Sequence, residues 1–201
     1  MLASAGSAEL ADRGHNVAVV SVARTSGAAE TETAQQTAPE HADRFREAMS
    51  HLASGVVLVT ASIDGRPWGM TVSAACPICV DPPTLLVSLS SHTTLAKAVS
   101  DSGRFGVNIL GADALDLARF GAAVGKPKFL DDEPGIELGE LHPAELMVDG
   151  ALGHVDCEVI EVITRNTHSI FLGQVRAIGL SDHNQPLVHY RREFWQMGHA
   201  A

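Results

Sequence analysis

Residues 68–94 constrain the fold more strongly than any other stretch of this sequence. The stretch contains a strand-like run that ends in small hydroxyl residues, a break at Pro82 and Pro83, and a second apolar run of strand length at residues 84–89. A Ser/Thr cluster at residues 90–94 then precedes a helical pattern. The sequence therefore predicts two strands and a helix start that meet around small side chains.

The small residues between Gly69 and Ala75 predict a surface that a flat ring system can approach. No side chain after Met70 is long, so backbone amides and hydroxyls are accessible as hydrogen-bond donors. Hydroxyl residues at a helix start suit a phosphate, because free N–H groups and the positive end of the helix dipole lie there. We therefore predict a cradle for a phosphorylated, aromatic cofactor. The alternative is that Thr93 is only a helix N-cap and Ser73 only a strand residue.

Short apolar runs separated by turn residues recur along the rest of the chain. Asp64-Gly65 is typical of a hairpin turn between two of them. Together with residues 84–89, the predicted strands are 56–61, 66–73, 104–110, 152–162, 168–178 and 187–190. Strands at this spacing, joined by hairpin turns, predict a mainly β chain that forms an antiparallel barrel.

Three helical patterns accompany the strands. The first places Phe45, Met49 and Leu52 on one face of an amphipathic helix. The second follows the Ser/Thr cluster and ends at Gly103, and the third covers about residues 112–123. The prediction is a barrel with about three flanking helices.

The chain of 201 residues is long enough for one domain with a full core. Residues 1–40 are rich in Ala, Ser, Thr, Gln and Glu without lasting periodicity, which predicts a flexible extension. Within them, the apolar run at residues 17–22 is too short to span a bilayer, which takes ~20 residues. We expect it to be a loosely packed added strand or part of a mispredicted start. Residues 41–201 then form the single domain.

The formal net charge of -10 argues against a nucleic-acid or anionic membrane surface. A chain this acidic must concentrate its few cations to bind an anionic cofactor. Two of its three lysines, Lys126 and Lys128, lie together in a predicted long loop at residues 125–143. From the residues alone, this loop either covers a ligand or is a solvated charge run with Phe129 tucked into the core.

The three cysteines predict free thiols in a reducing cytoplasm, because the number is odd and no secretory signal is evident. Cys76 and Cys79 match C-x-x-C, but a thioredoxin-like site needs a helix to open there, and a Pro-Pro break follows instead. Zinc bound by Cys157 and His154 is a weaker alternative. We expect both cysteines of the motif to be packing residues and no metal site.

The absence of several common chemical motifs argues against some enzyme classes. The sequence lacks G-x-G-x-x-G, G-x-S-x-G, P-loop and H-E-x-x-H patterns, which weighs against a Rossmann nicotinamide domain. Asn108, within an apolar run, is either a hydrogen-bonded structural residue or a cofactor contact, and the first is favoured. Gly173 predicts a bulge or a close backbone approach.

Four motifs occur in an order and at a spacing that carry a resemblance: GMTVSA at 69–74, DPP at 81–83, LLVSLSSHTT at 85–94 and FGVNIL at 105–110. Together they resemble the short-chain flavin reductases, the flavin reductase components of two-component flavin-dependent monooxygenases. The resemblance covers roughly residues 43–197. It implies an FMN-binding split barrel that forms a homodimer with the flavin near the subunit interface. It also implies hydride transfer from NADH or NADPH to FMN or FAD, and release of reduced flavin to a partner monooxygenase.

The resemblance also implies roles for individual residues. Contacts to the isoalloxazine and ribityl chain are implied for Thr71, Val72, Ser73, Ala74, Ser88 and Leu89. Phosphate contacts are implied for Ser91, Thr93 and Thr94, over which Lys128 and Phe129 close. His168 would lie beside the nicotinamide, and Tyr190 would frame that face. This chain has Thr167 where the family often has an acid, so a carboxylate partner for His168 is not expected.

Two other classes of function remain open at this stage. A split-barrel protein that binds flavin without efficient turnover would be a carrier or sensor. A structural or interaction module would use the same small residues only for packing. Hydride transfer between a nicotinamide and a flavin requires mainly positioning, so the scarcity of acid-base motifs is compatible with the reductase.

Overall fold

The computed structural model describes residues 38–133, 142–182 and 185–197. Contacts within the chain divide it into two compact units, Met1–His41 and Ala42–Ala201. The predicted extension at residues 1–40 lies almost wholly outside the described residues, as does the apolar run at 17–22. None of the described helices combines the length and the apolar character needed to cross a bilayer.

Ten strands and three α-helices make up the described residues. The helices are α1 (Ala38–Ser50), α2 (Thr94–Ser102) and α3 (Leu115–Ala122). The strands are β1 (Ser54–Gly55), β2 (Val57–Ile63), β3 (Arg66–Val72), β4 (Ala75–Val80), β5 (Pro83–Ser90), β6 (Arg104–Leu110), β7 (Ala151–Arg165), β8 (His168–Leu180), β9 (Leu187–Tyr190) and β10 (Glu193–Gln196). Short 3-10 turns include Leu130–Asp132 and Pro143–Glu145.

All of the strand pairs are antiparallel. Seven strands form one sheet in the order β3-β2-β6-β7-β8-β5-β4, and β1, β9 and β10 form a second sheet in the order β1-β9-β10. The prediction of a mainly β, antiparallel fold with three helices is therefore confirmed for the described part of the chain. In the larger sheet β3 and β4 are the two edge strands, so the first half of the 68–94 stretch contributes to both edges of the sheet.

Local sequence explains where the key elements begin and end. Asp64 and Gly65 both have positive φ, at 51° and 80°, and join β2 to β3 as the predicted two-residue hairpin. Helix α2 begins at the N-cap Thr93, whose hydroxyl accepts from the Ala96 N–H, and ends at Gly103 in the left-handed region. Because β5 ends at Ser90, the N-cap at Thr93 places the start of α2 directly after the end of β5.

The core comprises two clusters of buried residues. One lies between the large sheet and α2 and includes Phe105, Phe171 and Leu95, and the other lies around Leu58 and Leu130. Gly173 confirms the predicted close approach, because a Cβ there would lie 2.5 Å from Phe105 Cζ. The sheet is thus packed tightly where β6, β7 and β8 cross the core.

Strand β4 corrects two expectations from the sequence. The segment around Cys76 and Cys79 is a strand that pairs with β5, with a bulge between Pro77 and Cys79. Pro77 is tolerated because β4 is an edge strand with a bulge beside this residue, two of the positions in a sheet where proline occurs. Both cysteines are exposed, so the expectation that they pack in the core was wrong.

Candidate functional site

A cavity beside the 68–94 stretch lies between β3, the start of α2 and the segment that follows α3. Its volume is about 650 Å3. We call it the loop cavity, and it is lined by Trp68, Met70, Thr71, His92, Thr93, Thr94, Gly121, Ala122, Ala123, Val124, Gly125, Lys126, Pro127, Lys128 and Phe129. Five of the predicted site residues therefore meet in one place: Thr71, Thr93, Thr94, Lys128 and Phe129.

Two further cavities continue from the loop cavity along β3. A small cavity of about 130 Å3 shares Thr71 and Ala122 with it, and is also lined by Val56, Val72, Ser73, His189 and Phe194. An apolar cavity of about 560 Å3 shares Ser73 with the small cavity, and is lined mainly by residues such as Leu52, Val107 and Ile109. The three cavities form a series along the edge where β3 ends.

Backbone and aromatic contacts hold the outer wall of the loop cavity against β3. The Gly69 N–H donates to the Lys128 carbonyl at 3.0 Å, and the Phe129 ring packs edge-on against Trp68 with centroids 4.8 Å apart. Arg66 lies 4.0 Å over the Phe129 ring and pairs with Asp131 at 2.8 Å. These contacts hold residues 128–131 against β3, and Phe129 is half-buried at the cavity wall.

Lys128 is buried, with 7% of its surface exposed, and its Nζ donates to the Gly121 carbonyl at 2.7 Å. Burial lowers the pKa of Lys128 from its ordinary value. Gly121 is required here, since a Cβ at this position would lie 2.8 Å from Leu58 Cδ1 and 2.9 Å from the Thr71 nitrogen. Lys128 therefore joins the end of α3 to the cavity floor, and the exposed Lys126 is the cation at its surface.

The start of α2 presents hydrogen-bond donors to the loop cavity. The Thr93 hydroxyl donates to the Ser90 carbonyl at 2.8 Å and accepts from Ala96, so Thr93 acts as the N-cap. Helix geometry leaves the N–H groups of Thr94 and the following residue without intrahelical partners. Together with the exposed His92 and Thr94, they form an end of the cavity suited to an anion.

The predicted ring wall lies at the junction of the three cavities. Thr71, Val72 and Ser73 all line the small cavity, and Ser73 is exposed. The Thr71 hydroxyl donates to the Ala118 carbonyl at 2.8 Å, which ties β3 to α3. Thr71 therefore offers mainly its backbone and methyl group to a ligand, and Ser73 offers its hydroxyl.

The remaining predicted flavin contacts, three in the ring wall and Ser91 at the phosphate, are divided between surface and core. Ala74 is exposed, and its carbonyl accepts from the Ser88 N–H at 2.9 Å. Leu89 is 2% exposed and belongs to the core. The Ser91 hydroxyl lies 3.0 Å from that of Ser169. These four positions support the strand that leads into α2, while none of them lines the three cavities.

His168 and Tyr190 lie outside the three cavities. His168 is exposed at the start of β8, and its Nδ1 lies 3.0 Å from the Thr167 hydroxyl. The Thr167 carbonyl accepts from the Ser91 N–H at 2.9 Å, which places His168 near the turn before α2. Tyr190 packs edge-on against Trp195 at 6.3 Å between centroids. Their nicotinamide roles stay predictions.

Several lining residues were not identified from the sequence. His189 and Phe194 pack edge-on against each other and close the small cavity opposite Val72. Adjacent residues on a strand face opposite sides, so His189 reaches this wall and its neighbour Tyr190 faces away. His92 lies inside the Ser/Thr cluster, and its position between the predicted phosphate contacts Ser91 and Thr93 is the one feature of the sequence that points to it.

Of the two roles considered for Asn108, the structure supports that of a hydrogen-bonded structural residue. It is fully buried, and its side-chain amide donates to the Leu146 carbonyl at 3.0 Å and accepts from the Val148 N–H at 2.9 Å. Within the described residues, no three or more His, Cys, Asp or Glu side chains are grouped so that they could hold a metal ion.

The volume and the lining of the loop cavity fit the flavin mononucleotide part of a flavin cofactor. The loop cavity volume falls within the range of ~300–1,000 Å3 that small-molecule sites occupy. One end carries N–H groups, hydroxyls, His92 and Lys126, which suit a phosphate, and the other end leads to the small residues at Ser73. Trp68 and Phe129 add aromatic surface between them.

Comparison with known proteins identifies related chains. The family model described as "Flavin reductase like domain" matches residues 49–198. The reductase component of 4-nitrophenol 4-monooxygenase/4-nitrocatechol 2-monooxygenase from Rhodococcus opacus is 36% identical over 155 residues, covering 75% of this chain and 78% of that protein. A flavin reductase (NADH) from Kitasatospora aureofaciens is 35% identical over 157 residues, covering 76% and 80%. The solved structure of the styrene monooxygenase flavin reductase from Pseudomonas putida S12 has a TM-score of 0.67 at 27% identity, covering 79% of this chain and 99% of that one.

Proposed function

Because this chain belongs to the flavin reductase like domain family, we propose that it transfers hydride from NADH to FMN or FAD and releases the reduced flavin to a partner monooxygenase. The observation that carries the proposal is the series of cavities along β3, which lies wholly within the matched residues 49–198. Relatives named as flavin reductases and as reductase components support the same activity.

The flavin would be held by residues that the cavities bring together. Thr94, His92 and Lys126 would bind the phosphate, and the wall at Thr71 and Ser73 would contact the ring system. The bound flavin supplies the hydride-accepting ring, so the protein contributes position and electrostatics. Cations at the phosphate end matter because the chain as a whole carries a charge of -10.

The small residues at the ring wall have a mechanistic consequence. Hydride transfer needs the donor and acceptor atoms to approach to about 3–3.5 Å in a stacked arrangement. Ser73 is short and exposed, so it leaves one face of a ring lying on it open to a nicotinamide. An open wall also allows reduced flavin to leave, as a diffusible product must.

Steady-state NADH oxidation by the purified chain tests this function. We expect NADH consumption to depend on added FMN or FAD and to saturate with flavin, because the flavin is a substrate that leaves after reduction. Binding of flavin without flavin-dependent NADH consumption would contradict the reductase and favour a carrier or sensor. The absence of both would leave only a structural module.

We predict that His168→Ala raises the apparent KM for NADH about tenfold, a loss of ~1.4 kcal/mol, with a smaller effect on the flavin KM. The reason is that His168, exposed beside the turn before α2, is assigned to the nicotinamide. His92→Ala is the matched control, since His92 lines the phosphate end and should weaken flavin instead. Equal effects of His168→Ala on both substrates would show that the nicotinamide is placed wrongly.

We further propose that the active form is a homodimer of split barrels in the cytoplasm. Large apolar side chains on the strand ends are exposed in the single chain, including Ile178 at 63% and Leu180 at 82%. The register β6-β7-β8 aligns Leu180 with Ile109 on one face, and Ile109 lines the apolar cavity, so a second copy covering this face would border the site. The three free cysteines suit a reducing compartment. Sedimentation showing only a 21.2 kDa species would contradict the dimer.

A further inference from the structure

The proposed flavin contacts do not include the two cysteines of β4, and the environment of these cysteines differs from that of the third cysteine. Cys76 and Cys79 are free and exposed, on an edge strand of the larger sheet. Cys157 is fully buried, and burial raises the pKa of its thiol to about 12. The chain therefore holds two accessible thiols and one that is inert.

The bulge in β4 brings the two exposed thiols onto one face of the sheet. In a regular strand, residues three apart face opposite sides. Here Cys76 pairs with Leu86 and Cys79 pairs with Thr84, so Ile78 is the extra residue of the bulge. Leu86 and Thr84 are two residues apart and face the same side, and their antiparallel partners therefore do so too.

The same register sets the spacing of the two cysteines along the strand. Two residues of strand span about 7 Å, which is the upper end of the Cα separations that a disulfide bridges. A disulfide also requires the two Cβ atoms to come to about 4 Å, so β4 must bend, which the bulge and the lack of a second neighbour on an edge strand allow. Cys76 also lines the apolar cavity together with Ser73, the ring-wall residue that joins it to the small cavity.

We propose that Cys76 and Cys79 are a peroxide-sensitive dithiol that forms an intrachain disulfide. One thiolate attacks hydrogen peroxide, the O–O bond breaks, and a sulfenic acid and hydroxide form. The second thiol attacks the sulfenic sulfur, the S–O bond breaks, and water leaves. Overall two thiols are oxidised to one disulfide, while one peroxide is reduced to two waters. As to the peroxide source, the inference rests on the proposed function, because reduced flavin that meets O2 before its partner yields oxidised flavin and hydrogen peroxide.

The test begins with added peroxide, which does not depend on turnover. The reduced full-length chain is treated with hydrogen peroxide, and its intact mass and peptide map are measured. We expect the loss of two hydrogen atoms, a Cys76–Cys79 linkage reversed by dithiothreitol, and a reaction at least ~10-fold faster than any at Cys157. Cys76→Ser and Cys79→Ser should each abolish the linkage and leave a sulfenic acid that dimedone traps. Cys157→Ser is the control and should behave as the parent chain. Absence of the linkage, a linkage between two chains, or oxidation only to sulfinic acid would overturn the proposal.

A second arm replaces added peroxide with NADH, flavin and air. The same linkage should form, and catalase should prevent it. If NADH is consumed without linkage, the enzyme's own peroxide is not the oxidant and that part of the inference is wrong. If NADH is not consumed at all, the proposed function fails instead, and the added-peroxide arm still decides whether the dithiol is real.

Discussion

Ser73→Trp is expected to raise the apparent flavin KM at least ~10-fold, a loss of ~1.4 kcal/mol or more, or to abolish turnover. Ser73 lies at the junction of the small and apolar cavities, and an indole would fill most of the 130 Å3 of the small cavity. Because Ser73 is exposed, the larger side chain should not disturb the core. Steady-state NADH oxidation at varied flavin concentration measures the effect.

Val80→Trp is the matched control for this experiment. Val80 is 90% exposed on the edge strand β4 and lines none of the three cavities. Its variant carries the same added indole at a distance from the proposed ring wall, so its kinetics should equal those of the parent chain. If Ser73→Trp also left the kinetics unchanged, the wall would have to be assigned to another part of the surface.

The strands of this chain were predictable where local chemistry decides them. Asp64 and Gly65 fix a two-residue hairpin through their positive φ, and the strand predicted at residues 104–110 has the bounds of β6. Strand β4 was not predicted, because it contains Pro77, which lacks an N–H, and the Pro82-Pro83 break follows it directly. That argument applies only to central strands, and the position of β4 at the sheet edge follows from the tertiary fold.

The site was predictable to the extent that it is local in sequence. The Ser/Thr cluster before α2 gave Thr93 and Thr94, which do line the loop cavity. The opposite wall comes from β9 and β10, more than a hundred residues later, and no pattern in the sequence links His189 to Ser73. Which face of β9 turns toward the cavity depends on how two sheets meet, and sequence alternation alone leaves that choice open.

The exposure of some apolar residues could not be predicted from the sequence. Phe45 and Met49 of α1, and Leu52 just after its end, have the periodicity of a buried helix face, but these side chains are 47–63% exposed in the single chain. Leu52 lines the apolar cavity. We predict that the second copy of the proposed homodimer covers this exposed apolar surface.

Gly106→Ala is expected to lower the free energy of unfolding by about 2–4 kcal/mol and Tm by roughly 5–15 °C. Gly106 is buried in β6, and an added Cβ would overlap the Ala144 carbonyl oxygen and the Thr60 hydroxyl, with His154 Cε1 at 2.9 Å. The overlapped backbone cannot recede easily, since Arg104 pairs with Glu145 at 2.8 Å beside it.

The control for this substitution is Gly55→Ala, and thermal and urea denaturation of both variants measure the difference. An added Cβ at Gly55 meets nothing within 4 Å, and φ there is not in the left-handed region, so the change should stay within about 0.5 kcal/mol. Alanine reduces the entropy of the unfolded chain equally at the two positions, so their difference isolates the steric cost in the fold. Equal unfolding midpoints for the two variants would mean that the turn at Pro143–Glu145 yields freely, and that its packing over β6 does not hold this part of the sheet.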